Sequence, residues 1–163
     1  MIRNLAEGQS GMTSNAFLVT GDRPVLVDTG ANFDVVSAVE NADSGLDAVV
    51  LTHTHVDHVD NLDAVQQAFD VEVWGYDPDT GLVDHPVADG DHVQLGDDEY
   101  FAVHTPGHKT DHLCFYAPET GVLFAGDLVF ANGGFGRTDL DEGNRNQLID
   151  SINRVLEVTD EIT

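Results

Sequence analysis

The sequence predicts an α/β domain, on three observations. Short apolar runs of strand length alternate along the chain with amphipathic stretches at helical spacing. Candidate functional residues sit just beyond the apolar runs, where α/β folds gather their sites. No apolar stretch reaches 18 residues, so no membrane span is expected.

Taken in order, Ala16-Phe17-Leu18-Val19 and Pro24-Val25-Leu26-Val27 read as strands joined by a turn at Gly21-Asp22. Residues 32–41 read as a helix, with Phe33, Val36 and Val39 on one face. Asp47-Ala48-Val49-Val50-Leu51 is a buried strand, and a helix over 58–69 turns Leu62, Val65 and Phe69 inward. Val71-Glu72-Val73-Trp74 follows as a strand. A Pro/Gly/Asp-rich connection then leads to strands at 100–103, 113–116 and 122–125. The last helix spans about 143–158 and buries Leu148, Ile152 and Val155. The connections suggest hairpins, hence mixed sheets. With no low-complexity linker and no short repeat, a single domain over residues 1–163 is expected, complete or cut short at its C-terminal end.

Charge is the strongest compositional signal. Asp and Glu number 30 against 6 Lys and Arg, a formal net charge of -24. Disorder is excluded by the apolar content: Leu, Ile, Val and Phe make up 47 of 163 residues, above the roughly 20% below which highly charged chains fail to fold. The acids are dispersed, and 22 of them are Asp. This composition resembles that of proteins from salt-loving microbes, and the physics agrees, because strong salt screens the self-repulsion of such a chain. Nucleic acid is disfavoured as a partner, since its binding rests on Lys and Arg. The lone Cys114 lies in the apolar run HLCFY and reads as a small buried hydrophobe. The N-terminus lacks the apolar core of a signal peptide, so a cytoplasmic, non-membrane protein is expected.

The chemistry concentrates in Leu51-Thr52-His53-Thr54-His55-Val56-Asp57-His58, a His-x-His-x-Asp-His cluster directly after an apolar strand. With His at 8 of 163 residues and Asp at 22 of 163, its chance occurrence is on the order of a few in a thousand. Imidazoles and carboxylates are the ligands that borderline divalent ions select. In extended backbone residues two apart point the same way, so His53 and His55 can grip one ion. Asp57 and His58 fall at the start of the next helix and can face a neighbouring ion. Asp28 closes PVLVD, His108 follows the turn Thr105-Pro106-Gly107, and Asp127 closes GVLFAGD. Singly, each is ordinary turn chemistry. Jointly with the histidine cluster they read as further members of a metal site and its supports.

HTHVDH, with VDTG upstream and TPGHKTDH and FAGD downstream in that order, resembles the metallo-β-lactamase fold superfamily over residues 15–158. The resemblance implies an αββα sandwich of two mixed sheets between helix layers. It implies that His53, His55 and His108 hold a first metal ion, that Asp57 and His58 hold a second, and that Asp127 bridges both. Asp28 would orient a ligand histidine. His112 and the segment Gly136-Arg137-Thr138-Asp139 resemble the glyoxalase II and persulfide dioxygenase branch, which makes Arg137 substrate-facing and His112 either substrate-facing or a support behind the metal ligands. The residues alone also allow a strand-edge histidine and an Arg137–Asp139 ion pair. His85, His92 and His104 read as ordinary loop or strand residues. The family's fifth motif, a Gly-His-Gly histidine on a later strand, has no counterpart before Thr163. A fragment, a weak or empty second site, and a ligand from another chain all remain open, as does a homo-oligomer.

The function expected is a metal-dependent hydrolase of a small ester, thioester, lactone or amide, with Zn2+ (one or two ions) ionising a water that Asp57 orients. An acyl thioester is favoured as the small-molecule substrate on the resemblance. The alternatives are a mononuclear Fe2+ persulfide dioxygenase, using His53, His108 and Asp127, and a metal-binding remnant without catalysis.

Overall fold

A computed structural model describes residues 1–162, with side chains described up to 160. Two β-sheets stack face to face. The first carries six strands in the order β1-β2-β3-β4-β5-β6: β1 (Ile2–Asn4), β2 (Phe17–Val19), β3 (Val25–Val27), β4 (Ala48–Val50), β5 (Glu72–Gly75) and β6 (His85–Pro86). Pairing is antiparallel from β1 to β3 and parallel from β3 to β6. The second sheet is antiparallel, in the order β10-β9-β8-β7: β7 (His92–Leu95), β8 (Asp98–His104), β9 (Leu113–Ala117) and β10 (Val122–Phe124).

Alternation along the strands explains the layering. Leu26 and Val49 turn to one face of the first sheet and pack with Val35 and Val39 of α1 (Val35–Glu40) and Leu62 and Val65 of α3 (Leu62–Phe69). Their neighbours Val25, Val27, Ala48 and Val50 turn to the other face and meet Tyr100, Leu113 and Phe115 of the second sheet. Beyond that sheet, Val103 and Cys114 pack against Leu148 and Val155 of α4 (Arg145–Ile162). Three apolar layers thus separate helix, sheet, sheet and helix, the αββα sandwich. Among the described residues, no helix is long and apolar enough to cross a membrane.

The structure corrects several sequence expectations. The helix expected over 58–69 is two pieces, α2 (Val56–Val59) and α3. Asn61 breaks it, because its backbone N–H donates to the Gly30 carbonyl and its side chain to the Thr29 carbonyl. The helix expected from Asn32 starts after Asp34, whose carboxylate accepts from the Ser37 N–H as an N-cap. Strands β1, β6 and β7 were not expected. All three are short and edge-lying or near an edge, and β6 and β7 occupy the Asp-rich connection.

Candidate metal centre

Strand ends bring the site together. Asp28 follows β3, the 52–58 segment follows β4, His108 lies in the turn between β8 and β9, and Asp127 follows β10. Nitrogens of His53, His55 and His108 lie within 4.8 Å of one another, and so do ligand atoms of His53, His58 and Asp127. Asp127 stands between the two groups. Its Oδ2 is 3.2 Å from His108 Nε2 and 3.9 Å from His53 Nε2, while its Oδ1 is 3.3 Å from His58 Nε2. Asp57 is half-buried, with Oδ2 3.7 Å from His58 Nε2.

Three of the imidazoles are oriented from behind. His58 Nδ1 lies 2.7 Å from Asp28 Oδ2, and Asp28 also accepts from the Thr52 N–H and hydroxyl. Because the Thr52 hydroxyl donates to Asp28, it accepts from His53 Nδ1 at 3.1 Å. His108 Nδ1 donates to the Arg137 carbonyl at 2.7 Å. These partners place the Nδ1 protons on the outside and leave Nε2 lone pairs facing the centre. Nε2 of His53 and of His58 are buried without a hydrogen-bond partner. Two orphaned acceptors aimed at one carboxylate are what a cation would satisfy, so the donor set fits a borderline divalent metal.

Without a metal, protons compensate the charge. Burial pulls the His58 imidazolium down, but Asp28 and Asp127 outweigh it and push its pKa up to about 10. Burial also opposes charge on Asp127 and His108, yet the hydrogen bond from His108 and the charge of the facing His58 hold the Asp127 carboxyl well below the usual range, and His108 is raised by Asp127. Burial and the neighbouring His58 drive His53 well below its ordinary value, and burial lowers His55 beside His108. His55 Nδ1 sits 2.8 Å from His108 Nε2, so one proton is shared where an ion would otherwise hold both nitrogens.

Two of the expected site residues have their side chains engaged within the protein. His112 is 0% exposed. Its Nε2 accepts from the Asp127 N–H at 3.0 Å, and Nδ1 is 2.8 Å from the Thr105 hydroxyl. Burial pushes its pKa down to about 3, which keeps the ring neutral and able to accept. It fixes the backbone that carries Asp127. Arg137 turns its exposed guanidinium to Asp139 in a two-pronged pair, and what it gives the site is its carbonyl. The remaining histidines are ordinary: His85 pairs with Glu72, His92 with Glu99, and His104 stacks on Tyr76. Cys114 is buried, its thiol pushed up to about 12 by burial.

Beside the Asp127 end opens a cleft of about 600 Å³, with Asp28, Asp57, His58 and Asp127 at its base and Phe17 and Phe130 among its walls. Thr52, Thr105 and the Arg137 carbonyl were missed by sequence reasoning. Threonines are common beside strands, and a carbonyl carries no side-chain signal.

Comparison with known proteins agrees with this geometry. Residues 10–162 match the description "Metallo-beta-lactamase superfamily". The chain is 35% identical over 144 residues to a hydroxyacylglutathione hydrolase of Chromohalobacter salexigens, covering 86% of this chain and 54% of the relative. It therefore spans about half the length of that protein. TTHA1623, solved in a di-iron-bound form, superposes with a TM-score of 0.80 at 30% identity, covering 92% of this chain and 84% of the other. ETHE1 from Myxococcus xanthus gives a TM-score of 0.80 at 29% identity, covering 97% and 70%. With its four-layer fold and its histidines converging on Asp127, the chain belongs to the metallo-β-lactamase superfamily.

Proposed function

We propose that the chain is a metal-dependent hydrolase of a small ester, thioester, lactone or amide, with an acyl thioester as the favoured substrate. The observation that carries this reading is the pair of buried, unpartnered Nε2 atoms of His53 and His58 on either side of the Asp127 carboxylate. His53, His55 and His108 would hold a first ion, Asp57 and His58 a second, and Asp127 would touch both. A bound divalent ion brings the pKa of water toward neutrality and polarises a carbonyl. The chain's own residues do the rest. Asp57, a half-exposed carboxylate at the cleft, orients the attacking water and accepts its proton. Asp28, Thr52 and the Arg137 carbonyl keep the imidazoles aimed inward, and His112 keeps the Asp127 backbone in place. The thioester preference rests on the hydroxyacylglutathione hydrolase relative.

Zinc, as one or two ions, suits hydrolysis. Mononuclear Fe2+ is the second reading, an oxygenase acting on a persulfide through a two-histidine, one-carboxylate set at His53, His108 and Asp127; TTHA1623, solved in a di-iron-bound form, is a relative of this fold that takes iron. Metal analysis of protein purified without added metal, together with thioester and persulfide assays on the same sample, tests the proposal. Zinc with thioester turnover supports it. Iron with oxygen consumption on a persulfide replaces it with the second reading, and bound metal with neither activity marks a non-catalytic remnant.

A further inference from the structure

The three imidazoles assigned to the first ion come from two separate segments: His53 and His55 from the loop after β4, and His108 from the turn between β8 and β9. Their spacing depends on how these segments are held together, and one side-chain bond spans them directly. Thr54, between the two histidines, donates its hydroxyl to Asp111 Oδ2 at 2.6 Å, across 57 residues of sequence. In extended backbone the residue between two same-facing neighbours points the other way, so Thr54 reaches outward while His53 and His55 face the centre.

Asp111 is only 4% exposed. A carboxylate in such a position is costly unless paired and hydrogen-bonded. Its other oxygen, Oδ1, lies 3.4 Å from the Lys109 ammonium, which is 2.8 Å from Glu142 Oε2. The Thr110 hydroxyl bonds to the same Glu142 carboxylate. The turn carrying His108 is therefore pinned on one side to the histidine loop and on the other to the segment before α4. Lys109 is the chain's single lysine, and it is spent on this buried carboxylate.

Resting on the metal-site reading above, we infer that Asp111 and Thr54 form a latch that positions the two halves of the first metal site, with Lys109 paired to Asp111 from its other side. Neither residue touches the ion. They act by fixing the distance between His55 and His108, so their loss weakens metal affinity by widening the spread of ligand positions. Supporting partners behind metal ligands typically change affinity by about 10–100-fold.

The test is competition titration of Zn2+ against a chromophoric chelator, with Co2+ absorption spectra as a report of site geometry. Thr54→Val, Thr54→Ser, Asp111→Ala and the Thr54→Val/Asp111→Ala double variant are compared with the wild type, each well below its metal-free melting temperature. Thr54→Val is nearly isosteric and carries the test even if Asp111→Ala does not fold. It should bind zinc about 10-fold or more weakly and alter the cobalt spectrum, whereas Thr54→Ser restores both. The double variant should be no weaker than Asp111→Ala, because both changes break one bond. Thr54→Val with wild-type affinity and an unchanged cobalt spectrum overturns the latch, as does Thr54→Ser matching Thr54→Val. A purely structural role would lower melting of the metal-free protein and leave both readouts in place. If the wild type itself holds no zinc, the metal-site reading falls and the latch falls with it. If only the variants are unaffected, the latch falls alone.

Discussion

Gly126→Ala should damage both the fold and the metal site. Gly126 precedes Asp127 and has φ of +51, and a Cβ there would lie 2.5 Å from His112 Nε2 and 3.0 Å from both His112 Cε1 and Thr52 Cβ. The left-handed conformation alone costs a non-glycine residue about 1–2 kcal/mol. The overlap adds about 1–3 kcal/mol, because His112 is fully buried and tied to Thr105, with no room to retreat. Displacing the ring also strains the Asp127 N–H bond to His112, worth about 1 kcal/mol. Gly121, at φ +68 with open space around it, supplies the control. Urea unfolding of metal-free protein in constant molar KCl should show a loss of about 3–6 kcal/mol for Gly126→Ala against about 1–2 kcal/mol for Gly121→Ala. Zinc affinity should fall only in the first. Equal losses in the two variants, with zinc affinity unchanged, would refute the reasoning that His112 buttresses Asp127.

Three further outcomes follow from charge and ligand geometry. Melting temperature should rise from dilute to molar KCl, because the Debye length shrinks from about 10 Å at 0.1 M to about 3 Å at 1 M and a net charge of -24 repels itself less; a flat or falling curve would count against salt adaptation. In metal titration, His53→Ala should abolish tight binding while His58→Ala should leave about one tight ion, since among the described residues the first ion would have three imidazoles and the second Asp57, His58 and a share of Asp127. For metal-free protein in molar KCl, stability should decline on both sides of neutrality. His112, at about 3 in the fold, is protonated only in the unfolded chain as pH falls below 6.5, so acid destabilises. His58, raised to about 10, contributes stability that is complete below 6.5 and is lost as pH climbs through 10; each group alters stability by at most about 1.4 kcal/mol per pH unit. Chemical denaturation across pH 4–10 checks both limbs, and a pH-independent midpoint would contradict the assigned proton positions.

Much of the fold was legible because its strands are buried on both faces. Runs such as Val25-Leu26-Val27 and Ala48-Val49-Val50 must be apolar throughout when each face meets a different core. The ligand-type residues were legible because their identity and their place at strand ends are both sequence properties. What failed was non-local. The break at Asn61 is made by carbonyls 31 and 32 residues away. β1 and β6 take their conformation from the strand beside them, and β7 from β8, and their own residues barely ask for it. His112 stayed open between a substrate-facing, a supporting and a strand-edge histidine, because alternation in HLCFY fixes a face without saying which one is covered. Nothing in the sequence pairs Thr54 with Asp111, and only folding makes them neighbours.

The central claim is that metal held by this histidine–aspartate cluster confers thioester hydrolysis. Adding Zn2+ stepwise to metal-free protein, while recording bound ions and turnover of a small acyl thioester in the same cuvette, tests it most directly. The account predicts that the first ion binds more tightly than the second, that turnover rises with occupancy, and that His53→Ala removes both. Tight occupancy with no turnover of any thioester, or turnover that persists in metal-free His53→Ala protein, would contradict it.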